Sequence, residues 1–235
     1  MKVAFFDVDT QEDFINPRGA LYVKGSERLE GNFRRLVVFA RQHGIPLFGS
    51  VDTHYGDEAH RQKEQNELKR WGGPFPDHCI KGTPGHQKIA ATKPHNPIYV
   101  ADTEPLEEER VRALRRSTEV YFEKIVYSCF DNPYARPVLE AFDEFVVFGV
   151  ATDYCVKATA LGLREMGKKV IVVSDAIAPV DEAGGEKAIA EMTKAGVEFK
   201  KTDEVIEELT RRLRAMPARA PRRTRRQRKR VRARR

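Results

Sequence analysis

The chain predicts an α/β fold built on a parallel sheet with helices over both faces. Two observations carry that prediction. Short apolar runs rich in Val, Ile and Phe recur along the whole chain, and segments of helical periodicity separate them. At 235 residues the chain is long enough for one large domain with a real core, or for two small ones. No internal repeat is present, and the unbroken alternation places a single domain over residues 1–210 with roughly six strands.

Residues 2–8, "KVAFFDV", read as the first buried strand. A helix is expected from Ser26 to His43, with Leu29, Phe33, Leu36, Val37 and Ala40 at helical spacing and Gly44 as its stop. "IPLFGSV" (45–51) is the next strand. Residues 53–100 hold many Gly, Pro and His with little periodicity, so they read as loop. "LEEERVRALRRS" (106–117) is a helix, "EVYFEKIV" (119–126) a strand and "NPYARPVLEAF" (132–142) a helix. The strand "FVVFGV" (145–150), a helix from about Asp153 to Met166 and the strand "KVIVVSDAI" (169–177) follow. "DEAGGEKAIAEMTKAG" then leads to a short "VEFKKT" (197–202), and "DEVIEELTRRLRAM" closes the body.

The net charge of +7 conceals two opposite parts. Residues 211–235 hold 14 Lys and Arg and no acid, which leaves 28 basic against 35 acidic residues in 1–210, a body near −7. The basic tail is expected to be disordered from about Pro217, because it repels itself and lacks apolar residues. It is either a plain solvated extension or a contact for nucleic acid or another acidic surface. No apolar run approaches the ~18 residues of a membrane span, and the start turns acidic too soon for a leader peptide. Cys79, Cys129 and Cys155 form no disulfide framework, which favours a reducing cytoplasm.

In an open parallel sheet, ligands gather at the carboxyl ends of the strands. Asp9, Asp52, Lys124 and Cys155 each fall at or just past a predicted strand end, so one rim should collect all four. Cys155 ends "GVATDYC" on the first turn of a helix, where the partial positive charge favours a thiolate. Lys124 would lower its pKa further, and Asp9 could take the thiol proton and return it to a leaving group. Backbone N–H groups of the same turn, those of Ala151 and Cys155, could hold an oxyanion. Taken alone, such a cysteine reads more readily as a buried core thiol. Its convergence with Asp9 and Lys124 favours a nucleophile for acyl transfer.

Asp52 and His54 lie two apart in "SVDTHYGDEAH", His60 follows, and His78 stands in "WGGPFPDHCIKGTPG". One carboxylate with two or three imidazoles suits Zn, Fe or Mn with open positions for water or substrate, although loop histidines are often simply solvated. Phe14, Trp71 and Tyr154 could line an apolar slot for a flat ring, or else pack in the core. Leu21, Tyr127 and Val150 complete the expected pocket wall.

Five segments together resemble the nicotinamidase/pyrazinamidase branch of the isochorismatase-like cysteine hydrolases. They are "VDTQEDF" (8–14), "VDTHYGDEAH" (51–60), "WGGPFPDHCIKGTPG" (71–85), Glu123–Lys124 and "GVATDYCVKATALGL" (149–163), in the family's order. The resemblance implies a Rossmann-like three-layer sandwich and hydrolysis of an amide with release of ammonia. It implies Asp9 as acid/base, Lys124 as catalytic lysine and Cys155 as nucleophile, with a cis Val150–Ala151 peptide shaping the oxyanion hole. Asp52, His54 and His78 match the metal ligands, zinc first among the candidates, and His60 matches a histidine that joins them in some members. The pyridine nitrogen would approach the metal while the carboxamide faces Cys155. Two departures touch the pocket: Tyr154 stands where many nicotinamidases carry His, and a shortened segment after Lys124 brings Tyr127 in early.

The expected activity is therefore conversion of nicotinamide to nicotinate in NAD salvage, with a small-molecule amide substrate and self-association into a homo-oligomer. A related hydrolase of another small amide or carbamoyl compound is the alternative in the same class. The isochorismatase reaction itself would leave Asp52, His54 and His78 unused. A non-catalytic protein that contacts nucleic acid through its tail is the alternative of another class, and the competent residues at all three catalytic positions argue against it.

Overall fold

A computed structural model describes residues 2–215. Seven strands run through it: β1 (Val3–Val8), β2 (Leu47–Asp52), β3 (Ile98–Val100), β4 (Glu119–Lys124), β5 (Glu144–Val150), β6 (Lys169–Ala178) and β7 (Glu198–Lys200). They form one sheet in the order β3-β4-β2-β1-β5-β6-β7, and every pairing is parallel. The strand beyond the six expected is β3. Its three residues follow Pro94 and Pro97 at the sheet edge, too short a run to show period-two patterning.

The helices are α1 (Glu12–Ile15), α2 (Glu30–Gln42), α3 (Arg61–Glu64), α4 (Glu108–Leu114), α5 (Ala135–Leu139), α6 (Lys157–Glu165), α7 (Glu182–Lys194) and α8 (Thr202–Ala215). Alternation along the strands divides the core in two. Ala4, Phe6 and Val8 of β1 face Val138, Leu139, Leu163 and Met192 from α5, α6 and α7. Phe5 and, from β5, Val146 and Phe148 face Phe33, Leu36 and Val37 of α2 and Val205 and Leu209 of α8. The result is three layers, with apolar side chains buried on both faces of β1, β2 and β5, each worth about 1.5–3 kcal/mol.

The α8 helix displaces the tail boundary expected at 210/211. Residues 211–215 continue it, and the Arg212 guanidinium makes a two-pronged pair with the buried carboxylate of Glu144, at 2.9 and 2.6 Å. A basic side chain here ties the last helix to β5. Residues 216–235 lie outside the described residues, and with them the disorder and nucleic-acid contact expected of the tail. No helix among the described residues is long and apolar enough to cross a membrane.

Candidate active site

The sheet reverses its strand order around β1, and the carboxyl ends of β1, β2, β4 and β5 meet at that point. Asp52 and Lys124 are register partners on β2 and β4, so their side chains emerge together on the α5/α6 side. Asp9 has the wrong parity for that side, since it alternates with Val8 and matches Asp7. A left-handed backbone at Asp9 (φ 47°), a conformation Asp tolerates better than most residues, swings its carboxylate across. Near the end of β5, Gly149 (φ 125°) takes a backbone that a side chain would block, because a Cβ there would lie 2.0 Å from the Val8 carbonyl oxygen. The Val150–Ala151 peptide is cis, as the resemblance implied. A π-helical turn, Thr152–Val156, then carries Cys155 over the ends of β1 and β4 before α6 begins.

These elements bring three functional groups around one ammonium. Lys124 Nζ stands 2.9 Å from Asp9 Oδ2, 3.2 Å from Asp52 Oδ1 and 3.6 Å from Cys155 Sγ. The Asp9 contact is an ion pair of poor directionality, and neither Asp9 oxygen receives a well-aligned hydrogen bond among the described residues. A buried carboxylate left with open lone pairs beside a thiol is placed to accept its proton. Burial disfavours the Lys124 ammonium, but the Asp52 and Asp9 carboxylates outweigh it and hold its pKa well above the ordinary lysine value.

The thiol itself departs from expectation. Its place near a helix start and beside Lys124 predicts a lowered pKa, yet burial pushes Cys155 well above the ordinary cysteine range. Lys124 opposes that rise, and Asp9 and Asp52 add to it. Cys155 is 8% exposed. It rests as a thiol and needs a base at the moment of attack.

Asp52, His54 and His78 place one donor atom each within 4.8 Å of one another. His78 uses Nδ1 on the Pro76 carbonyl (2.8 Å), which leaves Nε2 directed at Asp52. His54 is fully buried, and among the described residues both of its ring nitrogens lack a hydrogen-bond partner. An orphaned imidazole of that kind suits a divalent ion. Burial would raise Asp52, but Lys124 and His54 hold it well below the usual carboxylate range, so it stands as a carboxylate anion. His60 stands apart from this cluster. It opens α3 with Nδ1 on Asp57 (2.7 Å) and its ring stacked on Tyr55. Glu64, on the same helix, accepts the N–H groups of Tyr55 and Gly56 and lies 3.7 Å from His54 Nδ1. No sequence signal marks this carboxylate, since it sits in a stretch without periodicity.

A cleft opens over Cys155, Asp52 and His78. Phe14, Leu21, Tyr127, Val150, Ala151 and Tyr154 line it. Trp71 does not: it lies between the guanidinium groups of Arg61 and Arg70, at 5.2 and 5.9 Å. The left-handed turn at Gly72 reverses the chain after Trp71, and Phe75 takes the wall position instead. Glu67 adds a further carboxylate to the wall; burial and the charge of Asp52 push its pKa up.

The isochorismatase domain matches residues 3–204. The nicotinamidase of Escherichia coli is 28% identical over 214 residues, spanning 80% of this chain and 90% of its own. The nicotinamidase of Saccharomyces cerevisiae is 28% identical over 200 residues, 74% of this chain and 87% of its own. An Arabidopsis thaliana protein described as a probable inactive nicotinamidase is 24% identical over 209 residues, 88% of this chain and 95% of its own. The zinc complex of the Pyrococcus horikoshii pyrazinamidase shares the fold with a TM-score of 0.67 and 24% identity, over 86% of this chain and 99% of its own. With the sheet, the cleft and these likenesses in agreement, the chain belongs to the isochorismatase family, in its nicotinamidase branch.

Proposed function

We propose that this protein is a metal-assisted cysteine amidohydrolase that converts nicotinamide to nicotinate and ammonia. The observation that carries the reading is the single ammonium of Lys124 in contact with Asp9, Asp52 and Cys155 at the floor of an apolar cleft. Asp9 takes the Cys155 proton as Sγ adds to the carboxamide carbon. The N–H groups of Ala151 and Cys155 receive the oxyanion. Asp9 returns the proton to nitrogen, the C–N bond breaks, and ammonia leaves a thioester on Cys155. Asp9 then accepts a proton from water, whose oxygen adds to the thioester, and Sγ departs as a thiolate that Lys124 stabilises until it is reprotonated. Asp52, His54 and His78 would hold a divalent ion, zinc first among zinc, iron and manganese, which supplies a Lewis-acid anchor for the ring nitrogen. NAD salvage in the cytoplasm and a homo-oligomeric state accompany this reading.

Another small amide or carbamoyl substrate is the second reading, favoured by the aromatic wall. Tyr154, Tyr127 and Phe75 stand 5.1–6.4 Å apart, centre to centre, and crowd the side of the cleft next to the nucleophile. Ammonia release from nicotinamide and from a panel of small amides, by zinc-loaded protein, decides between them. Nicotinamide is expected to be the preferred substrate, with no turnover in Cys155→Ala and reduced turnover after chelation. Inert wild-type protein would sink the nicotinamidase reading, and turnover in Cys155→Ala would sink the thioester.

A further inference from the structure

A second lysine is buried beneath the site, on the loop that follows the metal-ligand segment. Lys88 Nζ donates to the Ser50 carbonyl at 3.0 Å and to Thr10 Oγ1 at 3.4 Å, and it is ion-paired with Asp7 Oδ1 at 3.1 Å. The side chains of Lys88 and Asp7 are 1% and 0% exposed. Thr10 in turn donates to Asp7 Oδ1 (2.7 Å) and shares a hydrogen bond of 2.7 Å with Thr92. None of these groups lines the cleft.

Their position along the strands is what gives them meaning. Asp7 lies two residues before Asp9 on β1, and Ser50 two residues before Asp52 on β2. Thr10 follows the left-handed residue Asp9 directly, so its hydroxyl holds the far side of that kink. The Ser50 carbonyl that Lys88 engages also accepts the Asp9 N–H at 3.3 Å. One ammonium therefore joins the two strand ends that present Asp9 and Asp52, from the side opposite Lys124.

We propose that Lys88, with Asp7 and Thr10, is a positioning clamp that sets Asp9 and Asp52 against Lys124 and Cys155. The clamp rests on the reading above, in which Asp9 moves protons and Asp52 holds the metal. Lys88 touches no reacting atom; it fixes the backbone from which both carboxylates project. Misplacement by about 1 Å at a catalytic group can lower turnover about a hundredfold, so a clamp at this point has a large effect at a distance.

The test uses a paired variant, Lys88→Met with Asp7→Leu, which removes both charges and leaves neither buried alone. Thr10→Val is made beside it and keeps the shape of the site. For each, kcat and KM for nicotinamide are measured on zinc-loaded enzyme, Co²⁺ affinity is titrated by absorption after zinc removal, and thermal unfolding is followed. The paired variant is expected to fold, with kcat lower by about 10- to 100-fold and KM within about 3-fold. Its Co²⁺ affinity is expected to weaken about tenfold, as when groups that orient metal ligands are lost. Thr10→Val should move both readouts the same way by less. Wild-type kcat and Co²⁺ affinity in the paired variant would overturn the clamp and leave a packing feature. Should the paired variant not fold, unchanged kcat and Co²⁺ affinity in Thr10→Val overturn it instead. Should wild-type protein not hydrolyse nicotinamide, the amidase reading fails, while Co²⁺ affinity still judges the clamp by the same criterion.

Discussion

Two buried Lys–Asp pairs take their carboxylates from positions two residues apart, Asp7 on β1 and Asp9 just past its end, and they are built differently from the same groups. In Lys88–Asp7 the ammonium donates to the Ser50 carbonyl and the Thr10 hydroxyl and pairs with Asp7 Oδ1, which also accepts the Thr10 hydroxyl, while Asp7 Oδ2 has no hydrogen-bond partner among the described residues. In Lys124–Asp9 the ammonium meets two carboxylates and a thiol, and the Asp9 oxygens keep open lone pairs. The first pair is buried on the α2 side of the sheet, and the second lies directly behind Asp52 and Cys155, which line the cleft. A buried ion pair becomes chemistry when one of its partners can change protonation and when substrate can reach it. Where neither holds, it can only fix geometry.

The sharpest way to break this comparison is to make the same substitution in both halves. Asp9→Asn removes the proton acceptor but leaves Lys124 paired with Asp52. Turnover of nicotinamide should fall about 10²- to 10⁴-fold with the melting temperature little changed. Asp7→Asn leaves Lys88 as a buried ammonium without its counter-charge and should destabilise the fold by about 3–5 kcal/mol. Denaturant unfolding and ammonia release, run on both variants, check the pair of outcomes. A destabilised Asp9→Asn with normal turnover would reverse the assignment of the two carboxylates.

A smaller effect concerns the resting state of the nucleophile. Because the folded Cys155 pKa lies above the ordinary range, its thiolate fraction at neutral pH is below that of a free cysteine. In chelator-treated enzyme, iodoacetamide labelling of Cys155 should climb about tenfold per pH unit and show no plateau by about pH 9. Asp9 is one of the negative charges that raise the thiol, so Asp9→Asn lowers its pKa and speeds labelling a few-fold at pH 8. Turnover falls while labelling rises. Parallel loss of both would mean that Asp9 activates the thiol at rest.

The strands and their ends were legible because continuous apolar runs bounded by polar residues leave little freedom over where a doubly covered parallel strand stops. That is why Asp9, Asp52, Lys124 and Cys155 could be placed on one rim from the sequence, and the fold brings them together. The segment between β2 and β3 was not legible in the same way. Its shape comes from tertiary contacts, such as the guanidinium groups that hold Trp71 away from the cleft and the Asp57 carboxylate that holds His60. Lys88 had no signal at all, because its acceptors lie on strands 38 and 81 residues before it in sequence. The direction of the Cys155 shift was misjudged for a related reason. A helix start is a local cue, whereas burial depends on the whole fold.

The smallest expected effect tests the cleft wall rather than the charge pairs. Tyr154 precedes the nucleophile, but its ring packs on Tyr127 (5.1 Å, 60°) and Phe75 (6.2 Å, 85°). Aromatic contacts of this kind contribute about 0.5–1.5 kcal/mol beyond buried area, and a flat ring bound among them would gain a similar amount. Tyr154→Leu keeps apolar bulk and removes the ring, so KM for nicotinamide should rise by about 2- to 12-fold at nearly constant kcat. Steady-state kinetics read this directly. A collapse of kcat at constant KM would instead place the Tyr154 side chain in the chemistry, and the division between a reactive floor and a selective wall would have to be redrawn.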